Sequence, residues 1–136
     1  MTIPGEGFTR GGHLRTLAVI LAGEKLIQHS LTALFFLVPI RGVGTPSIGT
    51  RFDIDNSTMA LLNIAFFLAM FVSFVGFLRR AEWGRRCILA LALLDIALEF
   101  LFHGLFFITV SVLVSTVLSI ATHAIRKQRV ASMPAS

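Results

Sequence analysis

Hydrophobic residues in this chain run in long blocks broken by short polar punctuation. One block covers about 14–38 and stops near Pro39, a second covers about 58–78, and a third runs from Cys87 to Ile125. A bilayer core about 30 Å thick takes roughly 20 helical residues. The first two blocks therefore match one span each, and the third is too long for one. His103-Gly104 divides it into spans of about 85–103 and 105–125. The pattern predicts an all-α fold: an integral membrane four-helix bundle over 14–126, with an N-terminal tail at 1–13 and a C-terminal tail at 127–136.

The connections carry their own signals. The 1–13 segment is rich in glycine and reads as a tail, and 40–57 reads as a loop because it holds Gly42, Gly44, Pro46 and Gly49. Asn56 or Ser57 is the expected cap of the second helix. The 79–86 stretch is a short basic turn with Trp83 at interfacial depth; Arg79, Arg80, Arg85 and Arg86 are expected to set topology and meet lipid headgroups. Small residues recur every four positions at Ser111, Ser115, Ser119, at Ala65, Ala69, Ser73, and at Ala18, Ala22, a spacing that lets helix backbones approach closely.

Composition strengthens the membrane reading. The 136 residues are 55% hydrophobic and only 14% charged, with a mean hydropathy of +0.84. A soluble domain of this size needs more polar surface. The net charge of +5 sits in clusters beside the apolar blocks, with no basic platform interleaved with aromatics, so a nucleic-acid partner is not expected. Arg10 and Arg15 precede the first span, four arginines lie between the second and third, and Arg126, Lys127 and Arg129 follow the fourth. This asymmetry predicts cytoplasmic termini in a multi-pass protein of the inner (plasma) membrane. The first span is expected to be retained, because its apolar run is interrupted by Glu24-Lys25 and lacks a clear cleavage site. Cys87 allows no internal disulfide and reads as a small buried thiol.

Six ionisable residues lie inside these apolar blocks: Glu24, Lys25 and His29 in the first, and Asp95, Glu99 and His103 in the third. Such groups are costly at bilayer depth, so they tend to face the bundle interior and find partners. Three acids face one lysine, leaving the set short of positive charge unless protons, histidinium or a bound cation complete it. At 1.5 Å of rise per residue, Lys25 and Asp95 fall at comparable depth near the midplane, with His29 and Glu99 one turn further out. The expected pairs are Lys25 with Asp95 and His29 with Glu99, packing the first and third spans together. Glu24 then needs another partner, such as Asn63, and Gln28 lies on its side.

Four chemistries compete for this cluster. It can be an interhelical clasp fixing register or subunit contacts, or a site for moving protons or cations. It can ligate a metal or redox cofactor, or form a small-ligand pocket. His29, Glu99 and His103 are candidate ligands for a metal ion, a haem or a chlorophyll-type pigment. Their spacing lacks the Glu-x-x-His signature of di-iron bundles. His29 and His103 differ in depth by roughly 9 Å, which disfavours joint axial ligation of a haem. Outside the cluster no catalytic motif stands out: Asp53-x-Asp55 lacks the rest of a calcium loop, and Asn56-Ser57-Thr58, though a glycosylation sequon, is also a helix start.

The stretch Gly76-Phe77-Leu78-Arg79-Arg80-Ala81-Glu82-Trp83-Gly84-Arg85-Arg86, followed by Glu99, and the opening Leu14-Arg15-Thr16-Leu17-Ala18 resemble small bacterial and archaeal four-span membrane proteins of unknown function. The resemblance spans most of residues 14–126 and implies the same fold, but it carries no activity. The joint presence of Lys25, His29 and Asp95 departs from that pattern. The functional expectation is a non-catalytic accessory or assembly subunit of a larger membrane complex, in contact with lipids and with other subunits or copies of itself. The alternatives are a small proton- or cation-coupled transporter and a metal-, haem- or pigment-binding redox or light-harvesting subunit.

Overall fold

The computed structural model describes residues 6–38, 54–103 and 110–132. Among them are four helices: α1 (Glu6–Leu37), α2 (Asn56–Leu78), α3 (Glu82–His103) and α4 (Val110–Ala131). Three stretches are long and apolar enough to cross a membrane: Gly12–Leu37, Asn56–Leu78 and Val110–Ala131. The remaining helix, α3, carries Glu82, Arg85, Arg86, Asp95 and Glu99. These lower its hydropathy, and its fit in the bundle depends on where they point.

Two boundaries differ from the sequence expectation. Helix α1 begins at Glu6, so part of the glycine-rich tail is helical. Each glycine costs a helix about 1 kcal/mol relative to alanine, a penalty the long apolar continuation outweighs. Helix α4 runs past the expected end at 125, through Arg126, Lys127 and Arg129 to Ala131. Basic residues are favourable at that end, where the helix dipole is negative. The expected loop over 40–57 and the hairpin at His103-Gly104 fall largely outside the described residues.

The helices pack in a ring, α1 against α2, α2 against α3, α3 against α4, and α4 back against α1. Helices α1 and α3 thus lie on a diagonal of the bundle, where the sequence had suggested direct packing between them. Small residues let the backbones close in: Ala18, Ala22 and Ala92 are fully buried beside Met70, Ile88 and Leu118. Large apolar side chains point outward instead, among them Ile20, Ile27, Leu61, Val110 and Ile120. Polar residues such as Lys25, Asp95, Ser111 and Ser115 are buried. A water-soluble bundle distributes these classes the other way round.

Local chemistry fixes the ends of α2. The cap is Asp55, one residue before Asn56 and two before Ser57, the expected candidates: its carboxylate accepts from the Thr58 N–H at 3.0 Å and from the Thr58 hydroxyl at 2.6 Å. At the other end the Arg80 N–H donates to Phe77 O and the Ala81 N–H to Gly76 O, both at 3.0 Å. This pair of bonds is a Schellman motif, with Arg80 in the left-handed position at φ 61°. The turn then folds α3 tightly onto α2. A Cβ on Gly84 would fall on the backbone of Phe77 and Gly76, so glycine is required there by the close approach. Cys87, expected to be buried, is exposed.

Candidate functional site

The six ionisable candidates do not all meet; Lys25 and His29 from α1 converge on Asp95 of α3, joined by two serines of α4. Lys25 comes from α1 and is completely buried, and Asp95 from α3 is 4% exposed. The Lys25 ammonium lies 2.7 Å from Asp95 Oδ2 across the bundle diagonal. It also donates to Gln28 Oε1 at 3.1 Å, to Ser111 O at 2.9 Å and to the Ser111 hydroxyl at 2.6 Å. An ammonium has three protons, so these acceptors use its full capacity. Asp95 Oδ2 additionally accepts from the Ser115 hydroxyl at 2.6 Å and the Ser111 hydroxyl at 3.2 Å.

The other carboxylate oxygen faces His29. The residue is 8% exposed and its ring lies tilted against Phe66 with centroids 4.4 Å apart. Its tautomer follows from its neighbours. Asn63 Nδ2 donates to Met59 O at 2.9 Å, which orients the amide so that Oδ1 faces His29 Nδ1 at 3.0 Å. That oxygen can only accept, so Nδ1 carries the hydrogen. Nε2 is left 3.5 Å from Asp95 Oδ1, without a hydrogen bond. A second proton on Nε2 would turn that contact into an ion pair.

The remaining candidates part company with the cluster. Both nitrogens of His29 are directed to Asn63 and Asp95, so the expected His29–Glu99 pair does not form. Glu99 is half-buried one turn beyond Asp95. Asn63, the expected partner of Glu24, is engaged by His29, and Gln28 turns to Lys25. The Glu24 Oε2 atom is buried with no hydrogen-bond partner among the described residues. His103 ends α3, and its side chain lies outside the described residues. Among the described residues no three His, Cys, Asp or Glu side chains gather as metal ligands. Ser111 and Ser115 were legible only as small residues in a packing row; their hydroxyls are in fact the α4 contribution to the site.

A second polar cluster closes the opposite end of the bundle. Arg85 is 5% exposed and donates to both Glu82 oxygens and to Thr122 O, at 3.1 Å in each case for Nε and Nη1. Its Nη2 lies 2.5 Å from Glu82 Oε1. The hydrogen bonds from Arg85 hold the Glu82 carboxyl down to about 2, reinforced by the charges of Arg85 and Arg86 against the opposing effect of burial. Arg85 is therefore committed to the fold. Arg79, Arg80 and Arg86 are exposed, as is Trp83, whose six-membered ring reaches over Gly76.

These features define a four-helix bundle with an apolar exterior and a charged, hydrogen-bonded interior. No protein-family model, curated protein or solved structure matches the chain.

Proposed function

We propose that the protein is a non-catalytic accessory or assembly subunit of a larger complex in the inner membrane. All four helices span the bilayer in this reading. The excess of arginine and lysine at the end formed by the α2–α3 turn and the chain termini supports a cytoplasmic location for that end. The observation that carries the reading is the closure of the Lys25–Asp95 network. Every Lys25 proton and all three bonds to Asp95 Oδ2 are used within the chain. Such a network has no vacancy for cargo, and it draws a residue from α1, α3 and α4 into one geometry. Buried ion pairs contribute uncertain net stability but specify packing. A rigid bundle with apolar outer faces suits a part that fills space between other membrane chains. Extraction in mild detergent followed by native electrophoresis tests this. The expected result is a species several times the 14.9 kDa chain mass, containing a second membrane chain in fixed ratio. A free single chain at every detergent concentration would overturn it.

One observation favours a second reading, a small proton-coupled transporter. His29 Nε2 is a locked proton acceptor with Asp95 Oδ1 waiting 3.5 Å away, at the centre of the bundle. In that role Asp95 and Glu99 carry the proton and Lys25 competes as an internal cation. Proteoliposomes holding a pH dye would show proton flux abolished in His29→Gln and Glu99→Gln. Equal flux in both variants and the parent would remove this reading.

A further inference from the structure

At the end of the bundle opposite the clasp, a cleft opens between α1, the α2–α3 turn and α4. Its walls carry Arg15, Arg80, Arg85 and Arg129 against the single carboxylate of Glu82, around a cavity of about 30 Å³ that is open at its mouth. Glu82 is already held by Arg85 from two of its nitrogens, and Arg129 reaches it only at 3.6 Å. Arg15 is pinned by neutral acceptors: its Nη2 donates to Leu78 O at 3.0 Å and Phe77 O at 3.4 Å, with the guanidinium 5.5 Å over the Phe77 ring. Arg80 and Arg129 press their like charge on Arg15. The cleft is thus a built concentration of positive charge with too little negative charge to balance it.

A separate observation concerns the backbone. Arg80 occupies the left-handed position of the Schellman motif, where glycine is the usual residue. A side chain there is strained relative to glycine. The chain accepts that strain to place a guanidinium at the cleft mouth.

We propose that this cleft binds a phosphate group, taken by Arg15, Arg80 and Arg129. Guanidinium forks match phosphate oxygens in geometry as well as charge. Three cations from three separate elements surround the anion and relieve their mutual repulsion when it enters. The position between the helix ends and the basic turn suits the phosphate of an anionic phospholipid. A free phosphate anion offers the same chemistry. The proposal does not depend on what the clasp does.

The test uses the full chain in neutral detergent, with thermal unfolding read against added phosphatidylglycerol, phosphatidylcholine or inorganic phosphate. Phosphatidylglycerol is expected to raise the midpoint by several degrees and phosphatidylcholine not to, with the shift fading as salt rises. A shift from inorganic phosphate alone would identify a free anion as the ligand; a shift from lipid alone would identify the headgroup. The Arg80→Gly variant separates binding from folding. It should unfold at a higher temperature than the parent without ligand, because the strain is gone, yet bind at least tenfold more weakly. Arg129→Gln should weaken binding by a similar factor. Equal affinity in the parent and both variants would overturn the proposal, as would equal responses to the two lipids with none to phosphate.

Discussion

Removing either partner of the central ion pair should cost far more than removing both. At 2.7 Å and an effective dielectric near 20, the attraction between unit charges is about 6 kcal/mol. Taking each ion out of water costs several kcal/mol, so attraction and desolvation come close to cancelling. The pair then sets geometry more than it adds stability. Lys25→Met leaves the Asp95 carboxylate buried with only Ser111 and Ser115 to solvate it, and Asp95→Asn leaves the ammonium without its counter-charge. Each should destabilise by about 3–5 kcal/mol, two to three and a half powers of ten in the folding equilibrium. The double variant carries no net buried charge and should return to within about 2 kcal/mol of the parent. Reversible unfolding in mixed micelles, read by helix content against denaturing detergent, supplies the four free energies of the cycle. Single variants within about 1 kcal/mol of the parent, or a double variant equal to the sum of the singles, would refute the idea that these charges meet in a closed interior.

Ser115→Ala deletes a 2.6 Å donor to a charged acceptor and should cost about 1.5–3 kcal/mol. Ser119→Ala, whose hydroxyl bonds only to Ser115 O within its own helix, should cost under about 0.5 kcal/mol in the same unfolding assay. The Glu82 carboxyl is held down to about 2 against an ordinary 4.5, so its stabilising effect is complete above about pH 4.5 and is lost as the pH falls toward 2. The stability gap between parent and Glu82→Gln, followed by thermal unfolding against pH, should shrink over that window; a gap constant from pH 6 to 2.5 would contradict the Arg85–Glu82 contact. Gly76→Ala meets the Trp83 ring first, at 2.5 Å, so combining it with Trp83→Leu should restore much of its melting temperature. Gly84→Ala meets backbone and should cost about 1–3 kcal/mol with or without that second change.

Much of the helix layout could be read from block lengths, because apolar runs near 20 residues have few other uses. The second block, 58–78, falls within α2 at Asn56–Leu78. The arrangement of helices could not be read. Direct packing of α1 on α3 was inferred from matched depths, but depth says nothing about whether two helices are neighbours or lie diagonally. A lysine side chain is long enough to cross the bundle axis, and Lys25 does so. The serines were hidden by register: with α4 expected from 105, Ser111 lies roughly 9 Å from that end, whereas Lys25 is about 20 Å below Val38. In the structure the Lys25 ammonium nonetheless reaches the Ser111 carbonyl and hydroxyl, because its long side chain crosses the bundle axis. Likewise Asn63 was assigned to Glu24 on depth alone. Its orientation toward His29 depends on the Met59 carbonyl, which no sequence pattern displays.

On the membrane reading, α3 is the helix that needs explaining, since its charges set it apart from the other three. An aspartate at mid-bilayer costs a lone helix about 2.5–3.5 kcal/mol, and Glu99 adds to that burden. Yet Leu93, Leu94 and Leu101 are exposed on its outer face while Asp95 and Arg85 are buried. Its charges therefore all turn inward or stay near an end, and each buried one is met by a side chain or carbonyl from another helix: Asp95 by Lys25, His29, Ser111 and Ser115, and Arg85 by Thr122 O. Helix α3 is apolar to lipid only in the company of α1 and α4. The single contact between Lys25 and Asp95 therefore offsets two burial costs, one on α1 and one on α3. A chain built this way tolerates a half-assembled state poorly, which ties the buried charges to completion of the bundle rather than to the strength of any single contact.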